Sequence, residues 1–529
     1  MRKPDVIKAA ARADKLAVMP PAAPAETELK LQLDPRDVDR LRRSALLAEA
    51  ACSEMEVDNV YFDTTDYLLH RHFLALRVRE IDGRWLQTLK SGAEFGGSLS
   101  RRGEWETPSR VLRGRGRIDL SRFSDTPLQK LLAAQKDRPT LRPLFHTRFR
   151  RTQWLLQRSG TTLEVALDIG EITLAAGRKT LSKPICEVEL ELKQGEAAVL
   201  IDTALELLSI ASGSPLVLTP ISRSKAERGY QLIAQRPAPA TKASAKGFVE
   251  GLHGKTTTAR ALRSVVAHGL AVLTVNAEML QTYDDPEYVH QARVSLRRVR
   301  SAIRLFDRDQ SDVPKAVVSE LRWFARALGE ARDWDVITDQ TLPSLGNGVG
   351  ADKVQPLIAK ADQRRRRARV KIRQAVLTPR YAALVLNTER WCMTPSPAGA
   401  ELLSALAALA LGGAAKKLFK AARFFAALTP ERRHEVRILA KRLRYALDLF
   451  SVALPKQEAA RYIDALAELQ DVLGELNDAT VATDVLPQLS RSAQIRKAAQ
   501  KWLASIEPER VLNAESRLLK LSKLRAPWV

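Results

Sequence analysis

The spacing of apolar residues changes once along this chain, near residue 250, and that change constrains the fold more than any other feature. Between about residues 26 and 230, short segments alternate apolar and polar residues, with turn residues between them. From about residue 256 onward, apolar residues recur with the 3.6-residue period of a helix. Alternation is typical of β-strands and the longer period of amphipathic helices. The sequence therefore predicts a strand-rich part followed by a helical part.

The sequence predicts a domain boundary at the segment RPAPATKASAKG, residues 236–247, whose Pro, Ala, Ser and Lys content is typical of a solvated linker. We therefore expect separately folded domains at residues 26–235 and 251–529, joined by a linker at 236–250. Residues 1–25 carry positive charges but no continuous apolar stretch. They are expected to form a flexible leader and not a signal peptide.

Composition excludes several classes of protein. No apolar run reaches the roughly 18 residues that a membrane-spanning helix needs. Cys52, Cys186 and Cys392 lie far apart, without metal-ligand spacing or a disulfide framework. The seven histidines form no HExxH motif or close cluster. We expect a cytoplasmic protein whose metal, if it binds one, is held by carboxylates.

The charge of the chain is strongly positive and uneven. Lys and Arg number 85 against 61 Asp and Glu, a formal charge of +24. From Gly251 onward there are 45 basic and 29 acidic residues, which leaves +16 on the helical part. Such a field attracts polyanions, whether nucleic acid, anionic membrane or phosphate chains, and charge alone does not choose among them.

Rows of charge occupy one face of several predicted strands, because residues two apart in a strand share a face. The segment ETELKLQL places Glu26, Glu28 and Lys30 opposite leucines, and EVELELK repeats the pattern. The second row comprises Glu187, Glu189, Glu191 and Lys193, and basic segments between the two rows carry Arg77, Arg79, Lys90, Arg148 and Arg150.

Two interpretations of these rows are open. They could be the wet face of an antiparallel sheet. However, like charges in one row repel, and they are tolerated best where a bound ion neutralises them. Carboxylates suit Mg²⁺ or Mn²⁺, and Arg and Lys suit phosphate oxygens. The pattern favours a site for a metal-bound oligophosphate.

The segment at residues 26–30 matches the ExExK signature of the CYTH family, also called triphosphate tunnel metalloenzymes. Further blocks resemble that family's motifs in order, and together they cover nearly all of residues 26–230. These blocks are NVYFDTTDYLL (59–69), LALRVREIDGRWLQTLK (74–90), RRGEWE (101–106), FRRTQW (149–154), ALDIGEI (166–172), EVELELK (187–193) and SRSKAERGY (222–230).

The resemblance implies an α+β domain built on an eight-stranded antiparallel closed barrel whose charged faces point into a tunnel. The resemblance also implies Mg²⁺ or Mn²⁺ as cofactor and three sets of site residues. The catalytic set is Glu26, Glu28, Lys30 and Asp168, with Glu164 as an alternative to Asp168; the metal ligands are Glu26, Glu28, Glu187, Glu189 and Glu191; the substrate ligands are Arg77, Arg79, Lys90, Arg148, Arg150, Lys193 and Lys225.

The activity implied is hydrolysis of inorganic triphosphate by a metal-bound water, with no covalent nucleophile. Two alternatives on the same fold are an adenylate cyclase and a thiamine triphosphatase. A third, from another class, is a non-catalytic polyphosphate-binding protein.

The helical part contains a weak internal repeat. HQARVSLRRVRSAIRLF (290–306) matches HEVRILAKRLRYALDLF (434–450), and each copy places a basic stripe opposite an apolar one. A solvated helix face is the alternative interpretation, but a stripe with almost no acidic partners favours a polyanion. The stripes comprise His290, Arg293, Arg297, Arg300 and Arg304 in the first copy, and His434, Arg437, Lys441 and Arg444 in the second.

These two helices resemble the CHAD family, and the resemblance covers about residues 256–520. It implies an all-α helical bundle with an internal two-fold repeat that binds inorganic polyphosphate between its halves. The expected partners are therefore inorganic triphosphate and long-chain polyphosphate, and the protein could associate with polyphosphate granules. No membrane partner is expected, and nucleic acid is disfavoured because aromatic residues make up only 5% and no RNP motif or zinc finger occurs.

Overall fold

The structure is a computed structural model, and it describes residues 25–92, 97–112, 115–135, 139–209, 215–306, 312–395 and 401–528. The flexible leader predicted for residues 1–25 lies outside the described residues, except for Ala25, which begins the first strand. None of the described helices is both long and apolar enough to cross a membrane.

The first part of the chain is rich in strands, as the alternation predicts. The strands are β1 (Ala25–Leu33), β2 (Ala51–Asp63), β3 (Ala75–Ile81), β4 (Arg84–Lys90), β5 (Leu99–Pro108), β6 (Arg110–Leu112), β7 (Arg115–Arg117), β8 (Arg142–Arg158), β9 (Thr161–Ala176), β10 (Lys179–Gln194) and β11 (Leu218–Pro220). The helices among them are α1 (Val38–Arg42), α2 (Ala45–Ala48), α3 (Leu68–Arg71), α4 (Pro127–Ala133), α5 (Ala198–Ser209) and α6 (Lys225–Ala234).

Eight of these strands form a closed barrel. They follow one another in the order β10, β9, β8, β2, β3, β4, β5, β1, each antiparallel to its neighbours, and β1 pairs with β10 to close the ring. Strand β11 pairs with the end of β1, beyond the residues that pair with β5. The predicted α+β domain with an eight-stranded antiparallel closed barrel is confirmed.

The two faces of the barrel wall have different chemistry. In β1, Leu29, Leu31 and Leu33 are fully buried in an apolar cluster with residues of β10 and α5, including Leu190 and Leu200. Burying such a side chain contributes about 1.5–3 kcal/mol to stability. Because neighbouring residues in a strand point to opposite faces, this packing turns the charged residues of β1 to the interior.

The rest of the chain is helical. The helices are α7 (Ala245–Phe248), α8 (Thr258–Leu280), α9 (Pro286–Phe306), α10 (Lys315–Val336), α11 (Leu342–Val349), α12 (Ala351–Val376), α13 (Pro379–Met393), α14 (Leu403–Ala421), α15 (Pro430–Phe450), α16 (Lys456–Leu489) and α17 (Ala493–Ser522). A π-helical turn, Ile337–Thr341, joins α10 to α11. The predicted helical C-terminal part is confirmed.

The compact units of the chain are not continuous in sequence. The first comprises Met1–Thr241, Leu270–Tyr283 and Ala375–Met393, and the second comprises Lys242–Gly269, Asp284–Gln374 and Thr394–Val529. The second half of α8 and all of α13 therefore belong to the barrel unit. In that unit, Ala382 and Leu386 of α13 are fully buried in the same apolar cluster as Leu200 of α5. The domain bounds drawn from the sequence stay a prediction.

In the second unit, the two repeat segments form helices of equal length. Helices α9 and α15 have 21 residues each. Their apolar stripes are buried, with Leu296 and Val299 in the first and Leu443 and Leu447 in the second no more than 2% exposed. Each is followed in sequence by a long helix that packs against it, α10 and α16 respectively.

Candidate functional site

The barrel encloses a charged cavity of about 550 Å³. Its described lining contains eight basic side chains and seven carboxylates. The basic residues are Lys30, Arg77, Arg79, Lys90, Arg102, Arg151, Lys193 and Lys225, and the acidic ones are Glu26, Glu28, Glu104, Glu106, Glu164, Glu189 and Glu191. Because so many ionised groups share a partly dehydrated space, each must be neutralised by a neighbour or by a bound ion.

The pairing of β1 with β10 brings the two acidic rows together. Glu28 lies opposite Glu191, and Lys30 lies opposite Glu189. Glu28 and Lys30 are each only 3% exposed, and the Lys30 amine lies 2.7 Å from a Glu28 oxygen. The two ExE segments that the sequence singles out therefore face each other across one strand pair.

Three buried carboxylates, one from β9 and two from β10, form a cluster. Oxygens of Asp168, Glu187 and Glu189 all lie within 4.8 Å of one another, and Glu187 is paired with Asp168 across β9 and β10. Asp168 is fully buried and Glu187 is 1% exposed. Grouped oxygen donors of this kind are the ligands that Mg²⁺ and Mn²⁺ prefer. The donor set fits a divalent cation.

Basic side chains neutralise this acidic cluster. The Lys225 amine, at the start of α6, lies 2.7 Å from Asp168 and 2.9 Å from Glu189, and it also contacts Glu187. Arg151 donates two hydrogen bonds of 2.7 Å to Asp168 and one of 2.6 Å to Glu189. Burial acts to raise the pKa of Glu189, but Lys225, Arg151 and Lys30 outweigh it and hold that pKa well below its usual range.

Glu26 and Glu28 are held by a different set of cations. The Lys90 amine lies 2.5 Å from Glu26, and Arg102 contacts both Glu26 and Glu28. Burial acts to raise the pKa of Glu26, but Lys90 and Arg102 outweigh it and lower that pKa. Of the five predicted metal ligands, the structure gathers Glu187 and Glu189 with Asp168. It places Glu26 and Glu28 against Lys90, Arg102 and Lys30, and Glu191 against Lys193 at 2.7 Å.

The cavity also contains guanidinium groups with little neutralisation. Arg77 is 7% exposed, and its Nε and one terminal nitrogen make no hydrogen bond within the described residues. Its closest recorded carboxylate contact is 3.8 Å, to Glu104. Burial, together with the positive charges of Arg77 and Arg151, lowers the pKa of Arg79 to about 10. A bound anion would offset both the burial of Arg79 and its repulsion by Arg77 and Arg151.

Two of the predicted substrate ligands do not face the cavity. Arg148 and Arg150 project from the outer face of β8, where their side chains are 62% and 60% exposed and pair with Asp58 and Glu56. The prediction that these arginines point into the tunnel is wrong. The inward residues of β8 are Phe149, Arg151 and Gln153. Phe149 shares this inward face with Arg151, and it packs in one apolar cluster with Ala226 and Tyr230 of α6.

The sequence interpretation also missed Arg102, Arg151 and Arg228. Arg102 alternates with Glu104 and Glu106 along β5, so the period of two could have identified it. Arg228 lies one helical turn after Lys225 and contacts Glu187. The remaining predicted residues Arg77, Arg79, Lys90, Lys193 and Lys225 all line the cavity, as does Glu164.

The second unit carries a separate basic cluster. Burial and the neighbouring cations Arg293, Arg298 and Arg437 lower the pKa of Arg297, despite the favourable influence of Tyr445. Burial and three arginines, Arg322, Arg293 and Arg326, lower the pKa of Arg300. The cluster thus joins residues of α9 and α15, the two repeat helices, with arginines of α10 that the sequence analysis did not assign.

Other residues of the two stripes have identifiable neighbours. Burial and Arg332 lower the pKa of His290, and Arg304 donates to Ser301 at 3.3 Å. In the second copy, His434 lies 2.6 Å from Asn477 and Arg444 donates to Gln470 at 3.1 Å. Arg437 and Lys441 are partly buried on α15.

Comparison with known families identifies two domains in this chain. Residues 24–230 match the family model of the CYTH domain, and residues 264–487 match that of the CHAD domain. The chain contains a CYTH domain and a CHAD domain. The resemblance noted from the sequence motifs is therefore confirmed, and the CYTH match spans every strand of the barrel.

Individual relatives resemble one or the other domain. The inorganic triphosphatase of Haemophilus influenzae is 31% identical over 209 residues, which are 39% of this chain and 54% of that protein, so the match spans about half of the relative's length. The solved CHAD domain of the plant Ricinus communis is 28% identical and covers 55% of this chain and 99% of its own, with a TM-score of 0.48. The Hippeastrum protein HpAC1, described as an adenylyl cyclase candidate with a dominant triphosphatase activity, is 20% identical and covers 40% of this chain and 98% of its own, with a TM-score of 0.27.

The inward and outward arginines of β8 should differ sharply in their effect on stability. Arg151→Met leaves the buried Asp168 with Lys225 as its one ion-pair partner among the described residues and should lower the free energy of unfolding by about 3 kcal/mol. Arg150→Met removes an exposed ion pair with Glu56 and should change it little. Urea denaturation of both variants tests this. Equal losses of unfolding free energy in the two variants would mean that Arg151 does not face inward and Arg150 outward as described.

Proposed function

We propose that the CYTH domain hydrolyses inorganic triphosphate and requires a divalent cation. The observation that carries the proposal is the barrel cavity, whose described lining holds eight basic side chains and seven carboxylates. One of these carboxylates, Glu189, also belongs to the buried cluster with Asp168 and Glu187. The relative named as an inorganic triphosphatase, which matches over 209 residues, supports the same activity.

The residues divide into two roles. Asp168, Glu187 and Glu189 would hold the divalent cation, which when bound neutralises phosphate oxygens and lowers the pKa of a water molecule. Arg77 and Arg79 present planar guanidinium groups, which bind phosphate oxygens through paired hydrogen bonds. Phosphoryl transfer is accelerated mainly by such positioning and charge neutralisation.

The lining favours an inorganic chain over the alternative substrates. Apart from Tyr61 and Phe149, the described lining contains no aromatic side chain. Phe149 is already covered by two cations, with Lys225 at 5.0 Å and Arg151 at 5.6 Å from its ring centre. An adenine or thiamine ring would therefore find few surfaces on which to stack, whereas phosphate oxygens would meet charged groups along the cavity.

A carboxylate substitution tests the catalytic proposal. Glu189→Gln removes one charge from the buried cluster and should lower tripolyphosphate hydrolysis in Mg²⁺ or Mn²⁺ by about 100-fold or more. Chelator should abolish the activity of the unmodified protein. The measurement is phosphate release, with thiamine triphosphate and ATP as competing substrates.

The matched control is Glu56→Gln, which removes an exposed carboxylate of β2 that pairs with Arg150. Its rate should stay within about twofold of the unmodified protein, because the side chain lies outside the cavity. Full activity of the Glu189→Gln variant, or undiminished hydrolysis in chelator, would overturn the metal-dependent mechanism.

We also propose that the CHAD domain binds long-chain inorganic polyphosphate through the basic cluster of α9, α10 and α15. The lowered pKa values of Arg297, Arg300 and Arg304 support this, because burial and neighbouring cations both disfavour the charge on these groups. A polyanion bound to the cluster would attract these arginines and offset their mutual repulsion.

Two triple variants with the same change in net charge test this second proposal. Replacing Arg293, Arg297 and Arg300 by Ala should weaken polyphosphate binding by about 100-fold, taking roughly 1 kcal/mol for each of the three charged contacts. The control replaces Arg364, Arg366 and Arg367, which belong to the basic run of α12, where Arg366 pairs with Asp362 at 2.8 Å. Binding is measured by calorimetry on the full chain at two salt concentrations. Equal losses in the two variants would mean that only overall charge matters.

A further inference from the structure

Two carboxylates accept hydrogen bonds from loops of the barrel unit, and both lie outside the residues of the CYTH match. Glu278 comes from the end of α8 and Glu389 from α13. Both residues belong to the same compact unit as the barrel, although both lie within the sequence range that matches the CHAD domain. Each accepts hydrogen bonds from a loop that leads directly into an element of the cavity.

Glu389 holds the residue that precedes β5. One of its oxygens accepts from the Ser98 backbone N–H at 2.9 Å, and the other accepts from the Ser98 hydroxyl at 2.6 Å. Ser98 is only 1% exposed. Strand β5 starts at the next residue and carries Arg102, Glu104 and Glu106 into the cavity.

Glu278 holds the segment that precedes α6. The same Glu278 oxygen accepts from the backbone N–H of Ser222 at 3.1 Å and from the Ser222 hydroxyl at 3.2 Å. The other oxygen lies 3.1 Å from the Arg223 guanidinium. Helix α6 begins two residues later with Lys225, and it places Lys225 and Arg228 on the buried carboxylates.

The loop before β5 and the loop before α6 both hydrogen-bond to the backbone of Lys30. The Lys30 N–H donates to the Ser98 carbonyl at 3.0 Å, and the Lys30 carbonyl accepts from the Ile221 N–H at 3.1 Å. Lys30 is the inward lysine of β1, opposite Glu189. Glu389, through Ser98, and Glu278, through Ser222 and Arg223, therefore hold the two loops that hydrogen-bond to the centre of β1.

We propose that Glu278 and Glu389 are positioning residues of the phosphate-binding cavity, through which helices α8 and α13 set the geometry of Lys30, Arg102 and Lys225. The proposal rests on the function proposed above for that cavity. Apolar packing of α13 on α5 would hold the helix in place without any carboxylate, and a buried carboxylate is costly to desolvate. The hydrogen bonds of Glu389 therefore determine the position of the loop before β5 more than they attach α13 to the barrel unit.

Steady-state kinetics test the role of the two carboxylates. Glu278→Ala and Glu389→Ala should each lower kcat/KM for tripolyphosphate by about tenfold or more, because an error of about 1 Å in a binding group is enough for a large loss of rate. Glu389→Gln keeps one acceptor and should retain more activity than the Ala variant. Because burial raises the pKa of Glu389 to about 7, the assay is run well above that pH.

The matched control is Asp202→Asn. Asp202 of α5 pairs with Arg390 of α13 at 2.8 Å in an exposed ion pair, which joins α13 to α5 without touching a cavity loop. This variant should keep the kcat and KM of the unmodified protein. If the Ala variants lower only the melting temperature and keep both constants at a temperature where they are folded, the carboxylates have a structural role alone and the proposal is overturned.

Hydrogen exchange separates this proposal from the proposed activity. In Glu389→Ala, the amides of residues 98–106 and of Lys30 should exchange faster, while those of β9 stay as in the unmodified protein. In Glu278→Ala, the change should fall on residues 221–230. If the unmodified protein hydrolyses no triphosphate, the proposed function fails, and exchange still decides whether the carboxylates position these loops. Unchanged exchange in both segments would overturn the positioning role.

Discussion

The pairing of β1 with β10 is the interaction on which the rest of the barrel unit depends. It closes the sheet, and closure gives each of the eight strands an inner face that lines a partly buried cavity. Because the leucines of β1 pack outward, Glu28 and Lys30 must lie inside, opposite Glu191 and Glu189. Charges in such a space are stable only when they neutralise one another or a ligand. Barrel closure and the chemistry of the cavity are thus two results of one strand pattern.

Much of this pattern could be predicted from the sequence. The wrong prediction, which concerned the inward residues of β8, has a physical cause. In β1 and β10 the inward residues are charged and the outward ones apolar, so alternation alone indicates which residues share the cavity. In β8 both faces carry arginine, and the inward face includes Phe149. The composition of the strand therefore does not show which face points into the cavity. Only the pairing of Arg151 with Asp168 across β9 resolves it.

The assignment of α13 to the barrel unit was also beyond the sequence. Tyr381, Ala382, Leu384, Val385 and Leu386 of this helix are all buried, so its apolar surface extends around much of the circumference. Such a helix needs packing partners on several sides, but the sequence does not say which ones. Its membership in the barrel unit follows from contacts with α5 and β11, which are distant in sequence.

The central claim is that the buried carboxylates hold a cation while the inward arginines hold a phosphate chain. A crystal structure of the full chain with Mn²⁺ and tripolyphosphate tests it most directly, because anomalous scattering locates the cation. The account predicts an anomalous peak bounded by Asp168, Glu187 and Glu189, with the phosphate chain inside the barrel against Arg77, Arg79 and Arg151. A cation bound away from these carboxylates, or a phosphate chain bound only outside the barrel, would contradict the account.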